Sequence, residues 1–184
     1  MDLIDLIESK RFLGNEFLMW LWFRSDCFDG LFESSEGSFE LIFDDALTLE
    51  AYLAETERSD FRGGTPAYSA EARTALQQGK RTAKAKLRLV KDVREWVFTL
   101  KAAELDLSSI KIPTLLTEED DEQFYERMFL LEELEDVVDG LYLQFLTLRL
   151  SDHWFDEMLP SMKLWIDGGR IGTRELYPES NRAA

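Results

Sequence analysis

Residues 80–101, KRTAKAKLRLVKDVREWVFTLK, decide how this chain folds. Ala83, Ala85, Leu87 and Leu89 alternate with Thr82, Lys84, Lys86 and Arg88, the period of a strand whose successive side chains point to opposite faces. Lys91-Asp92 reads as a turn, and Trp96, Phe98 and Leu100 repeat the same period in a returning strand. LDLSSIKI, residues 105–112, supplies a third strand and closes an antiparallel meander before Pro113.

Upstream, residues 26–38 are rich in Gly, Ser and Asp and read as a loop or the start of a hairpin. SFELIFDD (38–45) places Phe39, Leu41 and Phe43 on one strand face, and ALTLEAYLAE (46–55) continues with Leu47 and Leu49 in phase and reads as a second strand, its Ala and Leu content leaving a helix as the alternative. Residues 55–68 carry charges, Gly63-Gly64 and Pro66, the composition of an exposed loop. Ser69 is placed to cap a short helix that stops at Gly79. At the N-terminus, apolar residues at helical spacing run from Leu3 and are interrupted at Gly14-Asn15. This predicts two short helices or one broken helix, with FLMWLWF (17–23) packed in a core.

Downstream, Thr117 reads as the N-cap of a helix over 118–150 with acids in its first turn, where the helix dipole favours them. Phe124, Met128, Leu131, Leu134, Val138, Leu141, Phe145 and Leu148 recur every three or four residues. The stripe is broader than one sheet can cover, so Leu131, Leu134, Val138 and Leu141 are expected at the centre of a self-association surface, with a homodimer as the default. A following helix (151–166) should be kinked or split by Pro160. The expected architecture is one α+β domain over 1–168, an antiparallel sheet packed by the long C-terminal helix and N-terminal aromatic helices. A loosely ordered tail, 169–184, follows.

Charge is unevenly distributed. Residues 73–101 hold nine cations and two anions, a local +7 in a chain of 184 residues whose formal net charge is -16. If the β pattern holds, Lys84, Lys86 and Arg88 form a row on one sheet face at roughly the spacing of nucleic-acid phosphates, about 6–7 Å. Exposed cations on a strand face contribute little to folding, so reversing all three should leave stability nearly unchanged. The bland reading of the same row is a solvated sheet face protected from edge aggregation.

Catalytic chemistry finds little support. Asp44-Asp45 and the run Glu118–Glu122 lack a companion His or suitably spaced Lys, and His153 is the single histidine. The lone Cys27 excludes an intrachain disulfide and a multi-cysteine zinc site, and no nucleotide-binding glycine motif occurs. No catalytic residue, metal or cofactor is expected. The start of the chain lacks the pattern of a secretion signal and the longest apolar run is too short to span a bilayer, so a cytoplasmic protein without membrane contact is expected.

The stretch SAEARTALQQGKRTAKAKLRLVKDVREWVFTL (69–100) resembles the C-terminal part of the recombination-associated RdgC proteins, in which a short helix leads through a Gly-Lys-Arg step into two antiparallel strands. Ser69, Glu71, Gln78, Gly79, Lys80, Arg81, Lys84, Leu87, Leu89 and the strand from Trp96 to Leu100 carry the resemblance, which covers about residues 60–115. It implies a non-enzymatic accessory factor of DNA recombination or repair, bacterial and nucleoid-associated, that binds the DNA backbone without sequence preference. It further implies a closed dimer and restraint of RecA-driven strand exchange. Arg62, Lys80, Arg81 and Lys84 carry over as DNA-binding candidates, and Lys86 and Arg88 join them from the strand pattern. The chain is shorter than the family and shows no counterpart of its N-terminal half; it has only Arg62 where the family has a basic segment. The alternative reading is an acidic protein-interaction module, or DNA mimic, that binds a basic partner and not DNA.

Overall fold

The computed structural model describes residues 3–34, 37–51 and 57–169, with side chains from residue 13 onward. The chain is α+β. Six antiparallel strands form one sheet: β1 (Leu31–Ser34), β2 (Gly37–Ala51), β3 (Arg58–Arg62), β4 (Lys80–Lys91), β5 (Arg94–Lys101) and β6 (Asp106–Lys111). Their order is β1-β2-β4-β5-β6, and β3 pairs with the far half of β2 on the edge that β1 occupies at its start. The expected tail lies outside the described residues, apart from Gly169.

Two of the expected strand boundaries are corrected. SFELIFDD and the start of ALTLEAYLAE are not successive strands, because β2 runs through the first segment and on to Ala51 in the second, and bulges between Phe43 and Leu47, where Asp44, Asp45 and Ala46 are accommodated against β4; residues 52–55 lie outside the described residues. The loop expected over 55–68 contains β3 and a single 3₁₀ turn at Pro66–Tyr68, since Arg58–Arg62 finds an open edge of β2.

The strand pattern of β4 holds from Lys84 onward but not before it. A second irregularity, between Thr48 and Leu49 of β2, turns Thr82 into the core and leaves Ala83 half-buried. The Thr82 hydroxyl donates to Met19 Sδ at 3.1 Å. Leu41, Phe43, Leu47 and Leu49 of β2, Ala85, Leu87 and Leu89 of β4, and Trp96, Phe98 and Leu100 of β5 make the buried face.

One unbroken helix, α1 (Leu3–Cys27), packs on that face. Its Phe17–Phe23 segment is buried throughout, and Trp22 stacks on Phe43 with ring centroids 5.8 Å apart. Gly14 and Asn15 do not break the helix. A Cβ on Gly14 would lie 1.8 Å from the Ala102 carbonyl oxygen, so the missing side chain permits close approach. Asn15 Nδ2 donates to the Thr82 carbonyl at 2.6 Å, satisfying a buried acceptor beside the irregularity in β4.

Helix α2 (Ala70–Gln77) is capped as expected: Ser69 Oγ accepts from the Ala72 N–H, and Gly79 reverses the chain at φ +86°. The long helix α3 spans Asp120–Arg149 and its N-cap is Glu119. Thr117 is instead bonded to Glu126 on the helix. Leu130, Leu134, Val137, Val138, Leu141 and Phe145 face inward, with Phe145 packed against Phe17 and Trp20. Leu134, Val138 and Leu141 therefore belong to the chain's own core and Leu131 is half-buried. This corrects their assignment to a self-association surface: α1 and the sheet together cover more of the stripe than a sheet alone.

The last helix is divided ahead of Pro160, the split expected there, by a change of helix type. A π turn at Trp154–Met158 precedes it, in which the Leu159 N–H reaches the Trp154 carbonyl, and Pro160 then falls in the first turn of α4 (Leu159–Ile166), where its missing N–H is tolerated.

Candidate interaction surfaces

The basic island begins with a clamp. Arg73 of α2 donates through Nη1 to the Trp165 carbonyl at 2.7 Å, reaches Asp26 at 3.4 Å and stacks over the Trp165 ring. Trp165 Nε1 itself donates to Asp26 at 2.5 Å. This cation ties α4 to α1 and is spent on the fold.

The predicted row on β4 meets carboxylates from across the sheet. The bulge in β2 presents Asp44 and Asp45 on the outer face, where Lys86 Nζ lies 3.2 Å from Asp44 and 2.7 Å from Asp45. Arg88 contacts Asp44 at 3.2 Å and Glu95 at 3.8 Å. The hydrogen bond from Lys86 holds the Asp45 carboxyl below its ordinary range and raises the lysine in turn. These contacts also account for the two acids weighed as catalytic candidates. Asp44 and Asp45 neutralise a pair of cations.

At the far end of the hairpin, Lys91 and Arg94 converge on Glu133 of α3 at 3.0 and 2.5 Å. Lys101 contacts Asp106 at 3.2 Å. Among the described residues, at least six of the nine island cations are thus held in ion pairs within the fold. The other candidates are dispersed. Lys80 Nζ donates to Ser59 at 2.8 Å, and Arg81 lies opposite Glu50 in the β2–β4 ladder. Arg62 and Lys84, exposed and outside any salt bridge among the described residues, line a polar cleft of about 310 Å³ with Arg58, Asp60 and Lys86. Asp60 is held low by Arg58, which grips it through Nε at 2.9 Å, and by the Thr48 hydroxyl.

A different surface stands open. The first three turns of α3 extend past its packing partners, and the first buried residue is Leu130, whose carbonyl accepts from Trp96 Nε1 at 2.9 Å. Phe124, Tyr125, Met128 and Phe129 lie on the outer side of this overhang and are 52–72% exposed. In the segment before the helix Leu116 is 90% exposed, and its backbone is tied to α3. Glu126 accepts from the N–H groups of Leu116 and Thr117 at 2.8 and 3.1 Å and from the Thr117 hydroxyl at 2.7 Å, bonds that lower its own pKa. Between Glu118 and Asp139 the sequence carries eleven acids and one cation, Arg127.

Among the described residues no group of three His, Cys, Asp or Glu side chains is placed to hold a metal ion. His153 Nδ1 is 3.4 Å from Glu157 Oε1, one helix turn away. Cys27, half-buried beside Asp26, has its thiol pushed up to about 11, chiefly by burial. No described helix is long and apolar enough to cross a membrane.

The sequence reading missed the overhang because Phe124 and Met128 have the same periodicity as the buried positions that follow them. The acids bracketing them were the available signal. No protein-family model, curated protein or solved structure matches the chain.

Proposed function

We propose that this chain is a non-enzymatic protein-interaction module that engages a basic partner through helix α3. The observation that carries this reading is the asymmetry of the charges: most island cations are neutralised within the fold, whereas nine of the eleven acids over 118–139, all but Glu126 and Glu133, are exposed. A field of one sign over an extended helix attracts a partner of the opposite sign and accelerates its encounter. It also repels DNA and a second α3 laid alongside, so neither a polyanion nor a homodimer at this face is favoured.

The test compares a lysine-rich peptide with a labelled DNA duplex by fluorescence anisotropy, from low to physiological salt. The peptide should bind with a salt-dependent affinity that falls when Asp121, Glu122, Glu132 and Asp136 are neutralised to Asn or Gln. Neutralising Glu40, Glu57, Glu71 and Asp152, exposed acids elsewhere, should have little effect. Equal losses from both sets would refute a localised site on α3.

The RdgC-like reading, in which the chain meets DNA, keeps one supporting observation: Arg62 and Lys84 are exposed in one cleft and in no salt bridge among the described residues, although Asp45 and Asp60 also line it. Duplex binding at low salt that is abolished by R62E and K84E, and unaffected by α3 neutralisation, would establish it over the acidic-module reading.

A further inference from the structure

The overhang of α3 is more than an acidic surface. Phe124 and Met128 are one helix turn apart, as are Tyr125 and Phe129, so the four side chains form a compact apolar patch on the side opposite Leu130 and Leu134. Asp121 and Glu122 lie one turn before this patch, and Glu132 and Asp136 lie one and two turns after it on the same side. Leu116, held through its N–H by Glu126, adds a further exposed apolar side chain in the segment that leads into the helix. A purely solvated acidic helix has no need of four large apolar side chains facing water, and a contiguous exposed cluster marks a contact surface.

The charges decide what occupies it. A second copy would bring its own acids against these, since α3 offers only Arg127 as a counterion over 118–139. We infer that the α3 overhang binds an amphipathic basic helix of a partner protein, with apolar residues at helical spacing set on Phe124, Tyr125, Met128 and Phe129 and Lys or Arg about one turn to either side. This rests on the acidic-module reading and adds the shape of the ligand to its charge. The apolar stripe of the partner supplies the burial that makes binding persist when salt screens the carboxylates. The paired cations give orientation and encounter rate.

The experiment uses the full chain and two peptides of about 18 residues, roughly five helical turns. One has leucines at i, i+3, i+4 and i+7 with lysines on the flanking positions; the other has the same composition in scrambled order. At physiological salt the periodic peptide should bind at least about tenfold more tightly than the scramble. That ratio should collapse towards one in the variant F124S/F129S, which alters exposed side chains and should retain its circular dichroism spectrum. M128S provides an independent variant of the same patch. Equal binding of both peptides at low and physiological salt would overturn the inference and leave the acidic module standing, whereas binding of neither would remove both. A concentration-dependent dimer in sedimentation equilibrium that F124S/F129S dissociates would assign the patch to a second copy and overturn the inference.

Discussion

Arg94 holds Glu133 in a two-pronged contact, Nη1 to Oε2 at 2.5 Å and Nη2 to Oε1 at 2.9 Å, at the point where α3 leaves its support. Lys91 adds a third bond to the same carboxylate, and both Lys91 and Glu133 side chains are 9% exposed. Removing one partner of a buried pair exposes the other to an uncompensated desolvation cost, so E133A should lower unfolding stability by roughly 3 kcal/mol. Urea denaturation measures it. A loss below about 1 kcal/mol would place the triad with weak surface pairs and deny it an anchoring role.

Two glycines give opposite expectations. G14A places its Cβ against the Ala102 carbonyl, which belongs to the backbone and cannot swing aside, and should cost about 2–4 kcal/mol. G140A sits in the middle of α3, where an added Cβ meets nothing within 4 Å, and should gain about 0.5–1 kcal/mol from helix propensity. Thermal or urea unfolding of the two variants side by side checks both signs. A stabilised G14A would show that α1 can move off the β5–β6 connection.

The basic row on β4 separates in the same way. K84E should change stability by less than about 0.5 kcal/mol, because Lys84 is exposed and outside the salt bridges. K86E brings a third carboxylate to Asp44 and Asp45 and should cost about 1–2 kcal/mol, more than an isolated surface pair. This replaces the sequence-based expectation that all three cations are dispensable to folding. Unfolding midpoints of K84E, K86E and K86E/D45K decide it, the last recovering part of the loss if the pair is electrostatic.

The course of β4 and β5 was legible because a period of two survives whatever packs on the sheet. The bulge at Asp44–Ala46 was not, since it arises from pairing with β4 some forty residues away, and local alternation carries no record of a partner's register. The same loss of information hid the fate of Lys86 and Arg88. Alternation assigned them to a face but could not supply the carboxylates that meet them there. In α3 the difficulty was different. Phe124 and Leu134 belong to one continuous helical pattern, and whether each is covered depends on where α1 and the hairpin end beneath the helix. Gly14-Asn15 misled because the pair is usual at turns, whereas here the glycine admits a carbonyl and the asparagine bonds a strand.

Cys27 offers a pH-dependent test of the α1 C-terminus. Burial is the main cause that raises its thiol from 9.0 to about 11, with Asp26 adding to it and Arg73 opposing. The thiolate is the reactive form, so at pH 8 alkylation by iodoacetamide should be much slower than for a free thiol and should recover on unfolding in urea. The linked stability has a definite sign. Between the unfolded pKa and the folded value, the folded chain retains the proton that the unfolded chain has lost, so stability is intact below about 9 and falls as pH rises towards 11. C27A should flatten that alkaline decline relative to the parent chain. Breaking the neighbouring clamp with R73A removes the one cation that opposes the shift, so alkylation in the folded state should become slower still if α4 keeps its place. Alkylation faster than in the parent would instead show that Arg73 holds α4 over this end of α1, its loss opening the thiol to water.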